Sequence, residues 1–321
     1  MALACALSAC SIDREASSCP EPSARTEAAL REAFDRAPRG GECRKALLRE
    51  LDALRAARPK EIDESAPMDA ERIGLQLIEM EAHAIESALE EPKKHAERAA
   101  VVVLDPGHGG NEYGATAEGL RESHLALDIS KRVAAALREM NPEIDVFLTR
   151  DGDYRVSLPQ RAELANSAGA DLFVSLHLND AKGEIRRGGV TTFVLDASDD
   201  ARLLERAARE NGTSVEEVSG LSLLLASFDR GARVGASLRL AEALQRGTLR
   251  GGRQVLPSLH DRGVRRAAFQ VLLGAKMPAV LLEASFINVP EEREALKTAR
   301  YKDALSRGIA RGIIDYLYPA D

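Results

Sequence analysis

From Val101 onward the chain alternates short β-branched runs with stretches carrying an apolar residue every three or four positions, and a layered α/β domain satisfies both periods at once. The first run, Val101-Val102-Val103-Leu104, reads as a buried strand. It breaks into Asp105-Pro106-Gly107-His108-Gly109-Gly110, where one Pro and three Gly force a tight loop and leave His108 uncrowded at the strand's end. Glu122 heads a helix marked by Leu125, Ile129, Val133, Leu137 and Met140 and stopped at Asn141-Pro142. A strand over Asp145–Thr149 follows, then a helix over Ser157–Ala168 with Pro159 in its first turn and Gly169 just past its end. The next strand, Asp171–Leu176, runs into His177, Leu178 and Asn179. Val190–Leu195, Phe269–Leu272 and Ala279–Leu282 read as further strands, the last ending on Glu283. Between them, Asp196 to His260 is mostly helical, and Tyr301, Leu305, Ile309, Ile313 and Leu317 set out a long C-terminal helix. The fold class predicted is α/β, with a central, mostly parallel or mixed sheet of five to six strands flanked by helices.

Upstream the organisation differs. Residues 28–98 read as a small helical segment: Leu47, Leu51 and Leu54 keep helical spacing, and Leu75, Ile78, Ala82, Ile85 and Leu89 mark a helix stopped by Pro92. His83 and His95 sit there in polar surroundings and read as solvent-exposed. Residues 1–27 read as a leader and a Ser-, Pro- and Glu-rich tether, and 99–321 as the chemical domain. Leu7-Ser8-Ala9-Cys10 resembles the lipobox of bacterial lipoproteins, which makes Cys10 a candidate lipidation site. The apolar stretch before it is short and carries no Lys or Arg, and a plain Ala-rich terminus is the alternative. All four cysteines lie in the first 43 residues; after export Cys19 and Cys43 would remain to pair in an oxidising compartment.

The residues of the α/β part carry the chemistry. His108, His177 and Glu283 all fall at strand C-termini, beyond which open α/β sheets bind their ligands. Two imidazoles and the carboxylate of Glu122 make a three-ligand zinc site with a fourth position open, one Zn2+ per chain. Such an ion polarises a scissile carbonyl and brings bound water toward a pKa of about 7. A second carboxylate must take the water's proton and return it to the leaving nitrogen. Glu283, behind the apolar run Ala279-Val280-Leu281-Leu282, suits that role, since partial burial raises a carboxylate's pKa. Each part has a plain structural alternative: a loop cap for His108, a helix-dipole partner for Glu122, a buried histidine for His177, an Arg pair for Glu283. Joint placement favours the metal. The net charge of −7, with no basic stripe, argues against a nucleic-acid partner. The absence of Trp excludes a carbohydrate groove built on stacked indoles, and no apolar run of 18 residues exists to span a membrane.

Residues 101–317 resemble the zinc-dependent N-acetylmuramoyl-L-alanine amidases of type 3, bacterial cell-wall hydrolases. The stretches that carry the likeness are LDPGHGGNEYGATAEGLRES, VFLTRDGD, LPQRAELANSAGADLFVSLHLN, GVTTFVL and RGVRRAAFQVLLGAKMPAVLLEASFINVPEE. The resemblance implies that His108, Glu122 and His177 hold zinc, that Glu283 is the catalytic acid/base, and that peptidoglycan is the substrate. The bond cut would join the lactyl group of N-acetylmuramic acid to the L-alanine of the stem peptide, in cell-wall turnover and daughter-cell separation. A periplasmic or cell-envelope location is implied, with anchoring to the outer membrane through Cys10. Two features depart from the family pattern: the loop before Glu122 is slightly short, and His124 stands where Asp or Asn is common. His124 reads as a helix-start residue rather than a fourth ligand, and His260 as structural.

Asp196–His260 corresponds to an insertion found in the cell-division branch of that family. There a helix covers the zinc and an acidic residue takes its open position until an activator protein displaces it. The stripe Val215, Val218, Leu221, Leu225 and Phe228 makes that stretch the candidate, with Glu216 and Glu217 as the autoinhibitory acids; an ordinary amphipathic helix is the alternative. Two other functions remain open: a related zinc peptidase or amidase acting on small muropeptides, and a non-catalytic cell-wall binder. The presence of Glu283 speaks against the binder.

Overall fold

The computed structural model of the chain describes Ile73, Gln76, Met80 and residues 99–180, 187–227 and 231–319. The chain divides into Met1–Ala66 and Pro67–Asp321, and every described residue belongs to the second unit. Cys10, the Cys19–Cys43 pairing, Phe228, His83 and His95 fall outside the described residues.

Strand β1 (Val101–Pro106) is followed by the two-residue strands β2 (Thr116–Ala117) and β3 (Leu120–Arg121), then helix α1 (Glu122–Met140) and β4 (Asp145–Leu148). Helix α2 (Leu158–Ser167), β5 (Leu172–Asn179) and β6 (Val190–Leu195) come next. Three helices follow: α3 (Ala201–Asn211), α4 (Val215–Ser227) and α5 (Gly231–Gly252). The chain closes with β7 (Asp261–Ala267), β8 (Ala279–Phe286), α6 (Pro290–Leu296) and α7 (Ala299–Leu317). One sheet of six strands runs β4-β1-β5-β8-β6-β7, flanked by helices. The first four are parallel; β6 pairs antiparallel with β8, and β7 parallel with β6. Strands β1, β5 and β8 are buried along their whole length, which explains why their sequences read as apolar runs rather than alternations.

One face of the sheet carries Val102, Leu104, Val174, Leu176 and Leu282 under α1, α5 and α7. The other carries Val101, Val103, Phe173, Phe193 and Leu281 under α2, α3 and α4, and it also takes in Ile73 and Met80. Two sequence expectations are corrected. Phe269–Leu272 is not a strand: Gln270–Leu272 is a short 3-10 turn. The sixth strand is Asp261–Ala267, an edge strand whose Arg265 and Arg266 face solvent and mask its pattern. The register sets Pro106 beside Leu176 and His177 beside Glu283, so the C-terminal edges of β1, β5 and β8 form one rim.

Candidate metal centre

The loop leaving β1 turns sharply at His108, whose φ of 58° lies in the left-handed region that non-glycine residues rarely occupy. Two fully buried arginines hold it there. Arg161 donates to the carbonyls of Pro106 (2.7 Å) and His108 (2.8 Å), and Arg150 to those of Pro106 (2.9 Å), Gly107 (2.7 Å) and Ser123 (2.7 Å). Arg161 in turn pairs with buried Asp105 at 2.8 Å, which also accepts from the hydroxyls of Ser175 (2.7 Å) and Thr149. Burial pushes the Asp105 carboxyl up, but the Arg161 charge and these bonds outweigh it, and its pKa ends below the usual 3.8. A buried charge network thus aims the His108 ring.

Four side chains meet at the rim. His108 Nε2 lies 3.2 Å from Glu122 Oε2 and 3.4 Å from Glu210 Oε2. His177 Nδ1 lies 2.9 Å from Glu122 Oε1 and 3.4 Å from Glu210 Oε2. Glu122, first residue of α1, is fixed by the amides of Ala115 (2.8 Å) and Leu178 (3.0 Å). Glycines make the room: a Cβ on Gly107 would stand 2.5 Å from the His177 ring, and one on Gly114 2.4 Å from His108 Cδ2 and 2.5 Å from Glu122 Oε2. His108 Nε2 and Glu210 Oε2 are buried without a hydrogen-bond partner. All four donor atoms fall within 4.8 Å of one another. Donors around one tetrahedral ion, each about 2.0–2.2 Å from it, stand roughly 3.3–3.6 Å apart. The orphaned atoms, the spacing and the nitrogen–oxygen donor set therefore fit a zinc-like cation. The electrostatics agree: burial pushes His108 down, yet the carboxylates of Glu122 and Glu210 lift its pKa to about 11, and Glu122 is lowered in return.

Glu283, on β8 beside His177, lies next to this set. Burial raises its carboxyl to about 7, against the pull of the Arg206 guanidinium. Arg206 Nη1 stands 3.2 Å from Glu283 Oε1, and its Nη2 donates to Asn179 Oδ1 at 2.6 Å. Glu283 Oε2 has no partner. Arg206 and Glu210 are one turn apart on α3, so a single helix face touches both the metal cluster and the neighbouring carboxylate.

The structure therefore brings together His108, Glu122 and His177, with Glu283 alongside. It does not bring Glu216 or Glu217 to them. Both are exposed in the first turn of α4, where Glu217 accepts from the Ser214 amide at 3.0 Å and from the Thr213 hydroxyl. The acid that joins the cluster is Glu210, which the sequence reading passed over. Its signal was faint: Glu-Arg-Ala-Ala-Arg-Glu looks like a solvated face, and only the position of α3 against the rim turns it inward. His124 pairs with Asp153 at 3.0 Å on the surface. His260 is exposed, and its carbonyl accepts from Val190 N at 2.9 Å.

The model of a family described as N-acetylmuramoyl-L-alanine amidase matches residues 102–315. The chain is similar to N-acetylmuramoyl-L-alanine amidase AmiA of Escherichia coli (strain K12), with 35% identity over 230 residues covering 68% of this chain and 76% of that protein. Its likeness to AmiC of Escherichia coli O6:H1 is 29% over 246 residues, covering 74% and 58%. Among solved structures, it resembles the amidase AmiC2 of Nostoc punctiforme at 30% identity and a TM-score of 0.50, over 68% of this chain and 97% of the other.

Proposed function

The chain belongs to the N-acetylmuramoyl-L-alanine amidase family, hydrolases of peptidoglycan, and on that premise we propose that it cuts the bond between N-acetylmuramic acid and the L-alanine of the stem peptide, using one zinc ion held by His108, Glu122 and His177. The observation that carries the reading is the meeting of these three side chains at one rim, with an unpaired oxygen of Glu283 on the neighbouring strand, level with His177. When bound, the ion supplies Lewis acidity, polarising the scissile carbonyl and making water acidic enough to give up a proton near neutral pH. Glu283 accepts the attacking water's proton and passes it to the departing L-alanine nitrogen; a carboxyl held near 7 by burial can do both. Glu122 is kept in place by two backbone amides, and the Arg150–Arg161–Asp105 network keeps the His108 ring on target.

Helix α3 supports a resting, self-blocked state. Glu210 lies against both histidines, where it would compete with a substrate carbonyl for a bound ion, and Arg206 neutralises the carboxylate that must act as base. An activator protein that lifts α3 would free both groups at once. A peptidoglycan substrate places the protein in the cell envelope, with Cys10 as the proposed lipid anchor. No helix among the described residues is long and apolar enough to cross a membrane.

The test is digestion of purified sacculi by the zinc-loaded full chain carrying Glu210→Ala. Peptides with a free L-alanine N-terminus should appear, vanish with a chelator, and fall by about 10²-fold or more with Glu283→Gln. Products cut elsewhere in the stem, or release that ignores the chelator, would refute the assignment.

A further inference from the structure

A cavity of about 410 Å³ opens on the same rim, lined by Arg187, Gly188, Ser258, His260, Glu291 and Glu292. We infer that this cavity is the subsite for the third residue of the stem peptide, and that it selects a diamino acid whose far end carries an ammonium and a carboxylate on one carbon, as in meso-diaminopimelate. The inference rests on the amidase reading for the direction in which the peptide leaves the scissile bond.

Its place follows from the sheet. Strand β6 runs antiparallel to β8, with Thr191 opposite Glu283. Followed back toward its start, β6 leads to Gly189 and Gly188, which lie beside the continuation of β8 past Glu283. Glu292 clasps the two chains there, accepting from the Ser285 hydroxyl and the Phe286 amide, each at 2.7 Å, and from the Gly189 amide. Gly188 must lack a side chain because Glu292 Oε1 lies 2.0 Å from where its Cβ would be. The cavity therefore begins two to three strand residues beyond Glu283, roughly 7–10 Å at about 3.3 Å per residue. An extended L-alanine spans about 3.6 Å and a γ-linked glutamate about 6 Å, so the third stem residue starts about 10 Å from the scissile amide. The two lengths agree.

The lining matches a zwitterion. Arg187 and His260 offer donors for a carboxylate, and Glu291, positioned by the Ser258 hydroxyl at 2.8 Å, offers an acceptor for an ammonium. Arg187, Ser258, His260 and Glu291 are all exposed. Arg262 flanks the hollow: its Nη1 lies 3.3 and 3.4 Å from the carbonyls of Arg187 and Gly188, and its guanidinium lies 5.2 Å from the centre of the Phe286 ring. Its charge is answered in part by buried Glu292, which leaves Arg187 and His260 to meet the ligand's carboxylate. A lysine side chain would satisfy Glu291 and leave the cations unanswered. A sugar ring would find no Phe, Tyr or Trp face in the lining.

Calorimetric titration of the full chain with three free peptides tests this: L-Ala-γ-D-Glu-meso-diaminopimelate, its L-lysine counterpart and the dipeptide L-Ala-γ-D-Glu. The diaminopimelate peptide should bind about tenfold or more tighter than the other two. Arg187→Ala and Glu291→Gln should each bring it down toward the lysine value. Equal binding of all three peptides, or variants that change nothing, overturns the subsite. Cleavage of the corresponding muramoyl peptides by the Glu210→Ala chain separates the two readings. If all three are cut at one rate, the amidase assignment stands and the subsite falls. If none is cut while the diaminopimelate peptide still binds selectively, the binding site stands and the amidase assignment falls.

Discussion

Asp105 never touches the metal cluster, yet the turn that delivers His108 hangs on it through Arg161. Its carboxyl is held below 3.8, so the stabilisation it contributes is complete above that unfolded value and drains away as pH falls through the lower folded one. Asp105→Asn leaves the Arg161 guanidinium buried without a counter-charge, a change that typically costs about 3–5 kcal/mol. Urea unfolding at pH 7 should show a loss of that size, with a weaker hold on zinc because the His108 carbonyl loses its anchor. As pH falls below 3.8 the parent loses this contribution, and the gap between the two chains should narrow. A gap of constant size down to pH 2 would mean that the charge of Asp105 is not what stabilises the turn.

Helix α3 has well-defined ends and a thin attachment. Asp200 caps its start through the Arg202 amide at 2.9 Å, Gly212 ends it with a φ of 65°, and only Ala207 and Ala208 along it are buried. Leu203 and Leu204 add only half-buried contacts, so the helix should open more readily than one buried along its length. Glu210→Ala should raise the basal amidase rate of the zinc-loaded chain by about tenfold, within the span of ordinary coupling energies. Arg206→Ala should raise it less, the pair most, and Glu216→Ala or Glu217→Ala not at all, all read as dye release from labelled sacculi. No rise with either Glu210→Ala or the pair would remove the lock. The contrast between these acids shows what the sequence could and could not carry. His108, Glu122 and His177 were legible because each stands at the end of a buried run or the head of a periodic helix, where local pattern fixes position. The apolar stripe of α4 was legible too, and Val218, Leu221 and Leu225 are indeed buried, but its acids point to water. Glu210 was not, because nothing in its own helix distinguishes an acid that faces two histidines from one that faces solvent. The strand Asp261–Ala267 escaped for a similar reason, since it pairs on one side only and carries exposed arginines on the other.

Over the whole molecule, the candidate ligands come from four separate elements between residues 108 and 210, so no unfolded chain presents them together. Zinc that binds the native state alone stabilises it by mass action, about 4 kcal/mol when free zinc stands a thousandfold above its dissociation constant. For a domain of this size each kcal/mol moves the midpoint by roughly 2–4 °C, so returning zinc to chelator-stripped protein should raise the melting temperature by about 8–16 °C in calorimetry. His177→Ala made in the Glu210→Ala chain should abolish the rise, because only His108 and Glu122 then remain to hold the ion against water. Glu210→Ala should only shrink it, since His108, Glu122 and His177 remain, and the same chain should hydrolyse faster. Stability and activity would then move in opposite directions on one substitution, which is what a removable plug requires. A Glu210→Ala chain that lost both the zinc-dependent rise and its hydrolysis would instead make Glu210 a permanent ligand, and the self-blocked state would have no structural basis.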